Sequence, residues 1–206
     1  MGLISNGTTI FDAGALDSGL AKGALTFIKK LSGGSNVATM SFVNGSGGVV
    51  LDDTYKSYLF TFKNIHPETD NTNLGFLASS NAGYSYGIAT TNAVYQAFHK
   101  EDDSGAALQK QLGDDFAQST SLITFANALG SVNDECASGT FELYDPGSAT
   151  GQKGYLTLMS NAREDSIAQD WNTAGLINTA SAINAIRFQM SSGDIEGGDI
   201  CLYGIS

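Results

Sequence analysis

The stretch that decides the fold is AINAIRFQMSSGDIEGGDICLYGIS, residues 182–206. Its signal is an alternation of apolar and polar residues, which is the period of a strand with one buried face. The apolar positions are Ile186, Phe188, Met190, Ile200 and Leu202. A glycine-rich connection, Gly193–Gly198, separates the two halves. The stretch therefore predicts a closing β-hairpin whose last residues lie at the end of a strand.

The composition indicates a single domain rich in turns. The chain has 206 residues, enough for one sizeable core, with 25 Gly and only 2 Pro. Charged residues make up 15%, below the roughly 25% of typical soluble domains. The net charge is −11 and the basic doublet is Lys29-Lys30, so nucleic acid and anionic membranes are disfavoured as partners. No apolar run approaches the about 18 residues of a membrane span.

Working back from the closing stretch, short strand signals recur along the chain. Roughly eight to ten strands separated by turn residues predict an all-β, antiparallel β-sandwich, and a jelly roll is favoured within that class. The sandwich is predicted to occupy residues 21–206. Its inner faces are predicted to contain Phe27, Met40, Phe42, Tyr58, Phe60, Phe62, Phe76, Phe141, Leu143, Leu158, Ile186, Phe188, Ile200 and Leu202.

One segment departs from the strand pattern. Residues 106–112 are helix formers, Ser104 could cap them and Gly113 could end them. The sequence is compatible with a short helix here, or with an irregular excursion.

The first 20 residues are predicted to form an extended N-terminal arm. Short apolar pairs alternate with Gly and Asn, without the period of a helix or a regular strand. Apolar side chains without local structure suggest docking onto the domain or a neighbouring subunit. The candidate docking residues are Leu3, Ile4, Ile10, Phe11 and Leu16. Met1–Asn6 lacks the basic and apolar regions of a signal peptide.

The residues that carry chemistry are few. His66 and His99 are far apart in sequence and do not supply the three or four ligands of a metal site. The oxygen-rich run at 67–73 fails the EF-hand pattern but leaves an irregular calcium site open. Cys136 and Cys201 are predicted to be free, mostly buried thiols, although pairing would be open if their strands were neighbours.

No motif for catalysis is present. The sequence has no Gly-x-Ser-x-Gly elbow and no phosphate-binding glycine loop. Its acidic residues fall in loop doublets, with Glu142 as the one carboxylate inside a predicted strand. The sequence therefore predicts no enzymatic activity, no cofactor and no metal.

Exposed aromatic residues are the remaining candidates for binding. Sugar-binding sandwiches stack pyranose rings on amphipathic aromatic side chains. The candidates for contact with a glycan are Tyr84, Tyr86, Tyr95 and Trp171, unless these rings pack the ends of the sandwich.

Three stretches resemble a family of small virion structural proteins of marine tailed bacteriophages. They are Gly2–Gly14, the residues from Met40 to Pro67 that include Met-Ser-Phe-Val-Asn-Gly and Phe-Lys-Asn-Ile-His-Pro, and the closing residues from Met190 to Ile205. The match is loose between about 80 and 180. Members are described as tail-fibre-like or decoration-like, so the resemblance implies a particle component without a cofactor or catalytic residues.

The resemblance implies a protein of the virion that is made in the host cytoplasm and released by lysis. A tail appendage or fibre-associated component that contacts the host surface is the first expectation. A capsid decoration protein is the alternative, and a glycan-active enzyme is the third. The expected partners are other virion proteins, further copies of the chain with a trimer favoured, and a host surface glycan.

Overall fold

The computed structural model describes residues 3–5, 8–12, 15–16 and 24–206. These residues form antiparallel strands and no helix, so the all-β prediction is confirmed. The strands are β1 Leu3–Ser5, β2 Thr8–Asp12, β3 Ala15–Leu16, β4 Leu25–Ser32, β5 Thr39–Val43, β6 Ser57–Pro67, β7 Thr72–Ser79, β8 Thr90–Lys100, β9 Ala106–Lys110, β10 Ile123–Leu129, β11 Ala137–Tyr144, β12 Lys153–Arg163, β13 Ile167–Ile177, β14 Ala185–Met190 and β15 Ile195–Ile205.

The first three strands form a small sheet of their own. Its order is β1-β2-β3, and Leu3 and Leu16 both pair with Phe11 of the middle strand. The described residues of the predicted arm therefore form short antiparallel strands, although their sequence lacks a clear strand period. The division into a docking arm and a sandwich domain stays a prediction.

The other twelve strands form two layers. The long layer has the order β4-β15-β6-β11-β12-β13-β8-β9, and the short layer has the order β10-β7-β14-β5. The layers are joined at one corner, where Leu129 at the end of β10 pairs with Arg163 at the end of β12. Every pairing is antiparallel.

Aromatic side chains fill the space between the layers. Phe188 of the short layer lies 5.2 Å from Phe60 and 5.0 Å from Phe62 of the long layer, measured between ring centroids. Phe76 of the short layer lies 4.8 Å from Phe141 of the long layer. These contacts put the two layers face to face, which makes the fold a sandwich. The jelly-roll subclass stays a prediction.

The predicted core is confirmed at twelve of its fourteen positions and is wrong at two. Phe27 and Leu158 are 57% and 52% exposed. On β12 the inward positions are held by Tyr155, Thr157 and Met159, so the leucines between them point outward. A strand in which both faces carry apolar residues does not reveal its buried face by hydropathy alone.

The closing hairpin is also wrong, although both of its strands exist. β14 pairs with β5 and β7, whereas β15 pairs with β4 and β6. The connection at 191–194 therefore crosses from the short layer to the long one. Alternation fixes which face of a strand is buried, but it does not identify the neighbouring strand.

Of the two alternatives that the sequence left open for residues 106–112, the short helix is not formed. Ala106–Lys110 is strand β9, paired with the edge of β8, and Ile123–Leu129 is strand β10. Helix propensity is a weak preference of a few tenths of a kcal/mol per residue, and the hydrogen bonds offered by the free edge of β8 override it.

Candidate functional site on the outer face of the long layer

The outer face of the long layer exposes an unusual amount of apolar surface. Alternation along each strand sends one set of side chains into the core and the other set outward. We call the outward apolar set on β4, β15, β6, β11, β12 and β13 the apolar band. It consists of Leu25, Phe27, Leu59, Tyr144, Leu156, Leu158, Leu176, Tyr203 and Ile205.

Strand register places the members of this band side by side. Phe27 on β4 is paired with Tyr203 on β15, and their ring centroids are 5.6 Å apart in an edge-to-face arrangement. Tyr203 is paired with Leu59 on β6. Cross-strand partners on one face have Cβ atoms about 4.5–5.5 Å apart, so each side chain touches the next. The register therefore joins the band directly from β4 to β6, and beyond Glu142 on β11 the band continues on β12 and β13.

One acidic residue interrupts the band. Glu142 on β11 lies between Leu59 and Leu156 in the register. Tyr144, two residues further along the same face, donates its hydroxyl to Glu142 Oε2 at 3.1 Å. Partial burial and this hydrogen bond raise the pKa of Tyr144. The carboxylate of Glu142 therefore has a hydrogen-bond donor on the same face of the sheet.

A second feature, which we call the Tyr95 platform, lies at the β13–β8 end of the same face. Tyr95 is 54% exposed and is paired with Asn172 on β13 and Lys110 on β9. Asn172 donates its side-chain amide to Asp170 Oδ1 at 3.1 Å. The platform therefore combines an exposed aromatic ring with an amide, a carboxylate and an ammonium group.

Small residues leave room beside the ring. Ala97 and Ala168 line a shallow depression of about 370 Å³, together with Ser160, Asp170 and neighbouring residues. Ring faces take up the apolar face of a sugar, while amide and carboxylate groups accept and donate hydrogen bonds to its hydroxyls. Ala97 lies two residues after Tyr95 on the same face of β8, so the depression adjoins the ring without being lined by it.

The four predicted glycan-contact aromatics do not converge on one site. Tyr84 is 92% exposed in the loop between β7 and β8. Tyr86, in the same loop, lies under the Arg187 guanidinium, 4.2 Å from ring centroid to Cζ. Trp171 is wrong as a surface candidate because it is fully buried and donates its indole N–H to Thr173 Oγ1 at 3.1 Å. Tyr95 alone sits on the sheet face beside polar groups.

The predicted docking residues lie on the small N-terminal sheet. Leu3 and Ile4 are on β1, Ile10 and Phe11 on β2, and Leu16 on β3. Ile4 is 62% exposed. Its exposure is compatible with docking, which stays a prediction.

The structure brings together two residues that sequence reasoning left apart. Ala137 is paired with Ile65, so Cys136 and His66 follow as cross-strand neighbours at the ends of β11 and β6. Both line a cavity of about 260 Å³ with Asn64 and Glu196. The strand register alone reveals this pair, and the register cannot be read from the sequence.

The cavity does not assemble an activated nucleophile. His66 Nδ1 lies 3.4 Å from Glu196 Oε2, but its Nε2 lies 3.1 Å from the backbone oxygen of Val132 and not against the thiol. Burial raises the pKa of Cys136, which disfavours the thiolate. Cys136 and Cys201 are both free, as the sequence predicted, and both are half-buried.

The acidic side chains of the oxygen-rich run at 67–73, for which the sequence left an irregular calcium site open, are engaged in loop contacts. Asp70 Oδ1 accepts from the Ser131 amide at 3.0 Å, and Glu68 Oε2 accepts from the Asp194 amide at 3.2 Å. Within the described residues no group of three or more His, Cys, Asp or Glu is arranged to hold a metal ion. The same residues contain no helix long and apolar enough to cross a membrane.

No family model matches the sequence, and neither a curated protein nor a solved structure matches it significantly.

Proposed function

We propose that this chain is a non-enzymatic structural protein of a tailed-bacteriophage virion, a tail appendage or fibre-associated component that contacts the host surface. The resemblance of its opening, central and closing motifs to phage virion proteins supports the proposal that it belongs to a virion. The observation that supports contact with the host surface is the Tyr95 platform, an exposed aromatic ring beside Asn172 and Asp170 on a sheet face.

The ligand that this platform fits best is a neutral glycan. The chain carries a net charge of −11, and Asp170 adds a carboxylate at the platform itself, so an anionic polysaccharide would be repelled. A neutral pyranose needs only the ring face and polar groups that the platform supplies.

Binding without cleavage is favoured by the surroundings of Asp170. A glycosidase needs two carboxylates on either side of the bond that breaks. The cross-strand neighbours of Asp170 are Ser160 and Ala97, and its own hydrogen bond is to Asn172. No second carboxylate stands opposite Asp170 in the register, which supports recognition over hydrolysis.

Glycan binding is tested with neutral host-surface oligosaccharides and purified protein. Tyr95→Ala should weaken binding by about tenfold or more, since one stacked aromatic ring contributes on the order of 1–3 kcal/mol in comparable stacking sites. Tyr84→Ala removes a more exposed tyrosine from a loop and is the control. Equal affinities for wild type and Tyr95→Ala would contradict the proposed contact.

The small N-terminal sheet favours a second candidate, a capsid decoration protein. Strands β1, β2 and β3 form a sheet separate from the two layers, and such a sheet could clamp neighbouring shell subunits. Cryo-EM of the particle separates the two candidates, since decoration predicts density over the shell in many copies and a tail component predicts density at the tail. Either location would be in a virion assembled in the host cytoplasm.

A further inference from the structure

We propose that the apolar band is the interface of a face-to-face pair formed by two copies of this chain. The inference rests on the band alone and does not depend on the proposed function. Its occupant is a second copy, in place of the trimer that the phage resemblance favours.

The first argument is the exposure of large apolar side chains in one continuous region. Leu25, Phe27 and Leu158 are each more than half exposed, and Leu156 and Leu176 are 44% and 45% exposed. Scattered apolar residues are normal on a protein surface, but contiguous patches of more than a few hundred Å² mark interaction sites. Here the register joins these residues into one band.

The second argument is the size of the band against what a stable pair requires. The band spans six strands from β4 to β13, and strands lie about 4.8 Å apart. It covers about four residues along each strand, so its flat footprint is about 400 Å². A standard interface buries about 800 Å² per partner, so the band supplies a small interface, which fits a pair that forms at high concentration.

The third argument is the distribution of charge. The whole chain is strongly acidic, so two copies repel each other across most contacts. Within the band the acidic residue is Glu142, and it is hydrogen-bonded to Tyr144. The charged outward residues of these strands lie toward their other ends, and they are Lys30, Lys63, Asp170 and Asp199. At the near end of the band, Lys56 and Asp145 neutralise each other as an ion pair. A two-fold pairing of bands brings the least charged surfaces together.

The fourth argument is geometric. Both partners present a sheet face, and sheets pack face to face with their strands about 30° apart. In a two-fold arrangement each band meets its own copy, so a single self-complementary surface closes the assembly and leaves no second band exposed.

Sedimentation velocity of the full chain over a concentration series tests the proposal. The wild type should sediment as a dimer at high concentration. Leu156→Glu and Phe27→Glu should each raise the dissociation constant by about tenfold or more, because each places a carboxylate in an apolar contact. Leu108→Glu is the matched control, since Leu108 is 80% exposed on the outer side of β9 and lies outside the band.

Circular dichroism first verifies that each variant is folded, and Phe27→Ser replaces any variant that is not. A wild type that stays monomeric at high concentration overturns the proposal, as does a trimer. A dimer that the folded Leu156 and Phe27 variants leave intact overturns it too. Glycan binding is measured on the same variants, so loss of pairing with retained Tyr95-dependent binding separates this inference from the proposed function.

Discussion

The inner face of the long layer is apolar in one half and polar in the other, although both halves are buried. Under β6 and β11 the core is made of aromatic rings, with Phe60, Phe62 and Phe141 packed against the short layer. Under β13 and β8 the buried positions include Gln169 and Gln96. We call these regions the aromatic half and the polar half.

The polar half is held by specific hydrogen bonds. Asn161 Nδ2 donates to Gln169 Oε1 at 2.9 Å, and Gln169 Nε2 donates to Gln96 Oε1. The Thr173 amide donates to Thr157 Oγ1 at 3.1 Å. Among the described residues Asn161 Oδ1 is buried without a partner. The aromatic half tolerates imperfect geometry, whereas each polar group in the other half depends on one particular partner.

The largest expected effect is in the aromatic half. Phe188→Ala should destabilise the fold by about 3–5 kcal/mol, since the ring is fully buried and its removal leaves a cavity. Its ring lies within 5.9 Å of those of Phe60, Phe62 and Phe125, by centroid distance. Denaturant midpoints measure the loss.

Gln189→Ala is the control for that variant. Gln189 is the next residue on β14, faces the other way and is half-buried. Its replacement should cost under about 1 kcal/mol. Equal losses for the two variants would mean that both faces of β14 are packed, and the two-layer description would then need a third layer.

The contrast between the halves also explains what the sequence could predict. In β14, Ile186, Phe188 and Met190 are apolar and their neighbours are polar, so the buried face was predicted correctly. Partner strands were not predictable, because a residue pattern carries no information on which distant segment supplies the hydrogen bonds. The hairpin between β14 and β15 was wrong for that reason.

On the candidate site the same limit applies. In β12 and β13 the buried face carries Thr157 and Gln169, while Leu158 points outward. Hydropathy alone therefore predicts the wrong buried face for these strands. Trp171 is buried and not on the surface, whereas Tyr95 is an exposed ring, as the sequence suggested. The neighbours of Tyr95 could not be predicted. The polar groups around Tyr95 come from β13 and β9, and only the register brings them there.

The next largest effect should come from breaking the polar half. Gln169→Ala should cost about 1–3 kcal/mol, because Gln96 loses the amide that donates to it and Asn161 loses its closest acceptor. Replacing Gln96 and Gln169 together by Leu removes both partners and should recover part of the loss. If the double variant loses as much stability as the two single variants together, these hydrogen bonds do not stabilise the polar half.

Replacement of Asp114 by Asn should stabilise the polar half. Asp114 lies in the segment after β9, and its backbone oxygen accepts from Asn92 Nδ2 at 2.9 Å. Burial raises the pKa of its carboxyl above the ordinary value of 3.8, against an opposing hydrogen bond from Thr124. The ionised form is therefore disfavoured in the folded state.

The sign of the pH dependence follows from that direction. Below about pH 3.8 the carboxyl is protonated in the folded and the unfolded chain, and as the pH rises through the folded pKa the wild type loses stability. Asp114→Asn should therefore be more stable than wild type at neutral pH and equal to it in acid. Thermal unfolding at several pH values measures the difference, and a variant less stable at neutral pH would show that the carboxylate is favourably paired.

The smallest expected effect is at Leu158, where hydropathy and structure disagree most. The side chain is 52% exposed on the outer face of β12, so Leu158→Ala should cost under about 1 kcal/mol when measured at a concentration that keeps the chain monomeric. Leu143→Ala, on the neighbouring β11, removes a fully buried side chain and should cost about 2–5 kcal/mol. The comparison tests which face of β12 is inside. A Leu158 loss as large as that of Leu143 would place this leucine in a core, and the outer face of the long layer would then be covered within a single copy.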